Sequence, residues 1–74
     1  NTEEAYKTVI SQEPEYGPVY YSLGLLYAEL ERIDDAISQM QKAHNLMPEN
    51  IRVYYNLSLL YEKTQEKLLT LENT

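Results

Sequence analysis

The chain of 74 residues has no cysteine, no tryptophan and no phenylalanine, a single histidine, two glycines and three prolines. Each scarcity removes a class of explanation. Without cysteine there is no disulfide to staple a small core, and no thiolate for catalysis or zinc. His44 has no second imidazole for a metal site, and no Ser-His-Asp set is expected to converge on it. It lies off the apolar stripe of its helix, where a solvated position is expected. Two glycines do not make a phosphate-cradling loop. No apolar run approaches the ~18 residues of a membrane span, and no basic-then-apolar leader opens the chain. Basic residues are also few: six Lys and Arg against twelve Asp and Glu leave a net charge of −6. Nucleic-acid phosphates need a basic face, and anionic membranes repel this sign. No catalytic set, metal site or cofactor site is expected.

What the chain does have is a repeat. Displaced by 34 residues, the stretch Pro14–Ala28 falls on Pro48–Glu62 with nine of 15 positions identical, where composition alone gives about one. A fixed period of this size belongs to stacked helical hairpins rather than to a closed globule. The N-terminal stretch fits the same displacement, with Thr2, Tyr6, Val9 and Pro14 falling on Ala36, Met40, Ala43 and Pro48.

The local signals agree. Tyr6, Val9 and Ile10 give one buried helical face over Thr2–Gln12. Glu3 and Glu4 sit in the first turn, where the helix dipole favours negative charge. Pro14 stops this helix and Pro18 suits the first turn of the next. Val19, Tyr20, Leu23, Leu26, Tyr27 and Leu30 then recur at helical spacing. Gly24 inside that helix costs about 1 kcal/mol relative to alanine, so it is expected to admit the close approach of a partner helix, facing Ala36. Glu31–Asp34 makes the turn, with Asp34 expected as the N-cap of a helix that buries Ala36, Ile37, Met40, Ala43 and Leu46. Pro48 ends it, and Asn50 caps the next. From Ile51 onward no Gly, Pro or Asp interrupts the chain, and after Asn56 no Asn until Asn73, so one long helix is expected from about Arg52 to Leu71, fraying over the last three residues.

Tyr20, Leu23, Gly24, Tyr27, Ala36, Met40, Ala43 and Pro48 stand at the signature spacing of the tetratricopeptide repeat, and Gly17–Asn50 resembles one complete unit of that family. The resemblance implies an all-α fold of antiparallel helical hairpins stacked as an α-solenoid, about four helices here. Residues 1–14 would be the second helix of a truncated preceding repeat, 17–50 a complete unit, and 51–74 the first helix of a following one. The chain begins within a helical pattern at Asn1, as a piece of a longer protein would. The family usually has glycine at the position of Glu31, so a left-handed residue there would carry strain. Tyr20, Tyr27, Tyr54 and Tyr61 are expected to be core.

The resemblance also implies where function lies. In this family the first helices line a concave groove that holds an extended peptide or a partner helix. By position the groove residues are Tyr21, Ser22, Leu25 and Glu29, then Arg52, Tyr55, Asn56, Leu59 and Lys63. A carboxylate clamp of the kind some members use is not expected, because Tyr21 and Leu25 stand where it needs lysine and asparagine. A second expectation is self-association: Leu57, Leu60, Leu68 and Leu71 of the last helix have no following helix to cover them. At about 1.5–3 kcal/mol per buried leucine, pairing them between chains would make this truncated form a homo-oligomer.

Overall fold

The computed structural model describes residues 1–72, and the side chains of all of these except 67 and 70–72. It holds four helices: α1 (Thr2–Gln12), α2 (Gly17–Glu29), α3 (Ile33–Leu46) and α4 (Ile51–Glu72), with no strand among the described residues. The fold is all-α, a row of helices in which α1 packs on α2, α2 on α3, and α3 on α4.

Each boundary has a local cause. The Asn1 side chain accepts from the Glu4 amide at 2.9 Å and caps α1. Pro14 follows its end, and the Pro14 carbonyl accepts a 2.6 Å hydrogen bond from the Tyr20 hydroxyl. Asn50 Oδ1 accepts from the amides of Arg52 and Val53 at 3.0 and 3.4 Å, satisfying two orphan donors of α4. α4 then runs 22 residues without a break. The α2–α3 turn is a Schellman motif. The Arg32 amide donates to the Tyr27 carbonyl and the Glu31 amide to that of Ala28, with Glu31 left-handed at φ 61°. The apolar contact that usually accompanies this motif is here a cation–π pair, the Arg32 guanidinium lying 4.4 Å from the centre of the Tyr27 ring. Asp34 is not the cap of α3, as expected from its residue type. The helix starts two residues earlier than that cap would set it, Arg32 takes the cap position without a side-chain bond, and Asp34 and Asp35 fall in the first turn.

The core runs along the row. Leu23, Tyr27, Ala36, Met40, Leu57 and Leu60 form one buried cluster, and Val19, Tyr20, Ala43 and Val53 a second. Gly24 admits a close approach, but from Met40 rather than Ala36: a Cβ at position 24 would lie 3.0 Å from Met40 Cε and Cγ. His44 is half-buried rather than solvated, its ring centre 6.2 Å from that of Tyr54 and its Nδ1 shielded without a partner.

Two expectations about α4 fail for one reason. Tyr20 and Tyr27 are 5% and 4% exposed, whereas their counterparts Tyr54 and Tyr61 are 63% and 45% exposed. The rings of α2 are covered by α3; α4 continues straight, and among the described residues no helix folds back over its own tyrosines. Leu57 and Leu60, expected to be open for self-association, are instead buried against α2 and α3. Leu68 is exposed, as is its neighbour Leu69; the Leu71 side chain lies outside the described residues.

Candidate protein-binding surface

The helices that carry the candidate groove residues are α2 and α4. Pro18 in the first turn and Asn50 at the cap set where each begins. The 34-residue displacement places their side chains in the same register. Val19, Leu23 and Tyr27 of α2, and Val53, Leu57 and Leu60 of α4, turn inward. Helical geometry then turns Tyr21, Leu25, Tyr55 and Leu59 to another face.

On that face the two helices differ. Tyr21, Ser22 and Leu25 are half-buried, while Glu29 is exposed. Tyr55 and Leu59 are 60% and 38% exposed, and Arg52 and Lys63 are exposed beside them. Asn56 joins the helices: its Nδ2 donates to the Tyr21 hydroxyl at 3.2 Å and to the Arg52 carbonyl at 2.8 Å. Both protons of this amide are therefore engaged, which leaves its carbonyl oxygen, an acceptor. An acceptor of this kind suits a backbone N–H and repels a carboxylate. The surface combines two exposed apolar side chains, a guanidinium, an ammonium and one acceptor.

Two clefts flank these helices. One, of about 370 Å³, lies between α1 and α2 and is lined by Thr2, Tyr6, Ser22, Leu25, Leu26 and Glu29. The other, also about 370 Å³, lies between the α2–α3 turn and α4, lined by Glu31–Asp35 with Lys63, Thr64 and Leu68. The second has both charge signs close together and no apolar floor beyond Ile33 and Leu68. Among the described residues no three His, Cys, Asp or Glu side chains are grouped to hold a metal ion, and no helix is long and apolar enough to cross a membrane.

Sequence reasoning missed an ionic network that ties α1 to the turn. Glu3 accepts from Lys7 at 3.0 Å, from Arg32 at 3.4 Å, and from the Tyr27 hydroxyl at 3.3 Å. Arg32 in turn pairs with Asp35 at 2.8 Å. The Lys7 hydrogen bond chiefly holds the Glu3 carboxyl below its ordinary range, with Tyr27 and Arg32 adding to it, and the same bond raises the Lys7 ammonium. The sequence signals for it are the opposite charges of Glu3 and Lys7 at i,i+4 and of Arg32 and Asp35 at i,i+3; the contact between Glu3 and Arg32, 29 residues apart, has none.

Comparison with known proteins agrees with the geometry. The family model of the tetratricopeptide repeat matches residues 17–50. A BBSome complex member BBS4 homolog of Drosophila melanogaster is 31% identical over 61 residues, which is 82% of this chain and 13% of that protein. Superkiller complex protein 3 of Homo sapiens is 39% identical over 57 residues, 77% of this chain and 4% of that protein. The Mus musculus protein of the same name is 37% identical over 60 residues, with 81% and 4% covered. The chain thus spans only a small part of the length of these relatives. No solved structure matches it. A buried signature at Tyr20, Leu23, Gly24, Tyr27, Ala36, Met40 and Ala43, a hairpin of α2 and α3, and the family match over the same residues have one explanation: residues 17–50 are a tetratricopeptide repeat, and the chain belongs to that family.

Proposed function

We propose that this chain binds a peptide or partner helix along the face shared by α2 and α4, through Tyr21, Ser22, Leu25 and Glu29 of α2 and Arg52, Tyr55, Asn56, Leu59 and Lys63 of α4. The tetratricopeptide repeat is a non-catalytic protein-interaction unit, and its members bind proteins or peptides. The observation that carries the finer reading is the exposure of Tyr55 and Leu59, one turn apart on α4. Exposed apolar groups of this size at adjacent turns mark interaction surfaces, and tyrosine is enriched among the residues that dominate binding energy. The relatives point the same way, since their names place them in complexes, the BBSome and the Superkiller complex. In this reading α1 is the second helix of a preceding unit and α4 the first helix of a following one, both within a longer array.

The test is a selection of peptides from a random display library, with affinity measured on the selected binders. Tyr55→Ala and Leu59→Ala should each weaken binding at least fivefold, about 1 kcal/mol, without loss of helix content. Ser38→Ala, exposed on α3, should not. Binders indifferent to both groove changes would place the site elsewhere. A second reading, self-association through the C-terminal helix, is favoured by the exposure of Leu68 and Leu69; Leu57 and Leu60 no longer contribute to it.

A further inference from the structure

The loop between α1 and α2 carries an aromatic residue that the fold does not employ. Displaced by 34 residues, Pro14-Glu15-Tyr16 falls on Pro48-Glu49-Asn50. Asn50 caps α4 by accepting from two amides, whereas Tyr16 stands at the cap of α2 and makes no side-chain capping bond. The Tyr16 ring belongs to neither buried cluster and is 53% exposed. Both helices that this loop joins lie within the chain, and so does Met47, which packs beside Gly17 at the start of α2. The exposure of Tyr16 is thus not that of a chain end.

Of the eight tyrosines, Tyr16 alone lies outside the helices. Its backbone is extended, at φ −82° and ψ 95°, and residues 11–16 are all exposed. The other seven are held differently. Tyr20 and Tyr27 are buried, and Tyr6 and Tyr21 are half-buried. The hydroxyls of Tyr20 and Tyr27 donate to the Pro14 carbonyl and to Glu3, and that of Tyr21 accepts from Asn56. Tyr54, Tyr55 and Tyr61 are exposed, but they sit inside α4, where the backbone is committed to the helix. Charge separates them as well. Glu13 and Glu15 stand three residues and one residue before Tyr16, while none of the four residues before Tyr54, Tyr55 or Tyr61 is acidic.

We propose that Tyr16 is a phosphoacceptor for a tyrosine kinase that selects acidic residues on the N-terminal side of its target. Such an enzyme must set the phenol in line with the γ-phosphorus of a nucleoside triphosphate. An exposed, extended loop permits that approach and a helix hinders it, and substrate charge pattern is a common basis of kinase selection. The Tyr16 phenol oxygen attacks the γ-phosphorus, and the bond from that phosphorus to the β,γ-bridging oxygen breaks. The nucleoside diphosphate leaves with the bonding pair, and the phenol proton passes to the aspartate of the kinase. The product adds about 1.5–2 negative charges and three acceptor oxygens to a loop that already bears Glu13 and Glu15. That group suits an arginine-lined pocket on another protein. No residue of the α2–α4 face takes part, so the proposal stands apart from the peptide-binding reading.

The experiment is phosphorylation of the intact 74-residue chain by the catalytic domain of an acid-directed tyrosine kinase, with magnesium and ATP. Uptake is read by intact mass and located by fragment mapping. The wild type should take up one phosphate, at Tyr16. Tyr16→Phe keeps the ring and should abolish nearly all of that uptake. Glu13→Gln with Glu15→Gln, on exposed residues, should slow it severalfold. Far-ultraviolet circular dichroism checks that both variants keep their helix content. A peptide of residues 10–19, whose one tyrosine is Tyr16, should be modified at a rate close to that of the folded chain. An unmodified wild type overturns the proposal, and so does phosphate mapped to Tyr54, Tyr55 or Tyr61 in place of Tyr16. A glutamine variant modified as fast as wild type overturns the acidic selection. A peptide modified many times faster than the chain overturns the claim that the fold presents this loop.

Discussion

Glu31→Gly should stabilise this protein, although it removes a side chain and adds a glycine. Glu31 sits at φ 61° as the left-handed residue of the α2–α3 turn. A residue with a Cβ in this conformation carries about 1–2 kcal/mol of strain, because Cβ crowds the following carbonyl. Glycine removes that strain but loses more backbone entropy on folding, by about 0.5–1 kcal/mol. The net gain is about 1 kcal/mol, which for a domain of this size raises the melting temperature by about 4–8 °C. Charge is a confounding term, since Glu31 lies near Asp34 and Asp35 at the same cleft in a chain of net charge −6. Glu31→Ala isolates it: alanine removes the carboxylate and keeps the Cβ. Asparagine, which tolerates the left-handed region better than alanine, should fall between alanine and glycine. Thermal melts followed at the helical circular-dichroism band, with urea titrations at constant slope, give the ranking Gly above Asn above Ala. A glycine variant no more stable than the alanine variant refutes the strain argument, whatever both do relative to wild type.

Two further predictions concern the junctions on either side of α2. Glu3 has its pKa lowered in the fold, chiefly by the Lys7 hydrogen bond. Its stabilising contribution is therefore complete above the ordinary carboxylate value of 4.5 and is lost as pH falls through the lower folded value. Glu3→Gln should flatten the acid limb of the stability curve in melts below about pH 5, and an unchanged acid limb would mean that the ionic network between α1 and the α2–α3 turn adds nothing to stability. Gly24→Ala should be close to neutral: alanine gains about 1 kcal/mol of helix propensity, offset because the new Cβ lies 3.0 Å from Met40 Cε, which can rotate away, and equally close to Met40 Cγ, which cannot easily yield in a fully buried side chain. Gly24→Leu exceeds what Met40 can yield and should cost about 1–3 kcal/mol in urea unfolding; a leucine variant as stable as wild type would mean the α2–α3 spacing is not set there.

Four tyrosines show what a repeating sequence can convey and what it cannot. Tyr20 and Tyr54, and Tyr27 and Tyr61, are identical residues at identical helical register, and the same local signals place each pair on one face of its helix. Yet the first of each pair is core and the second is surface. Periodicity reports which face of a helix is apolar; burial depends on whether another helix reaches that face. For α2 the breaker signals around Glu31–Asp34 turn the chain back, so α3 covers its rings. For α4 the absence of such signals is legible in the sequence, and its consequence is that Tyr54 and Tyr61 stay open, against the family signature. The converse error, at Leu57 and Leu60, has the same root. The expectation of open leucines weighs only what would pack on the far side of α4, while α2 and α3, which precede them in the chain, already cover them. A stacked repeat thus has two kinds of apolar position, those facing its own hairpin partner and those facing the preceding unit. Only the 34-residue displacement, applied to burial as well as to residue identity, separates them. On α4 the side facing back is filled, while Tyr54 and Tyr61 remain open. On α1 and α2, Tyr6 and Leu26 border the α1–α2 cleft.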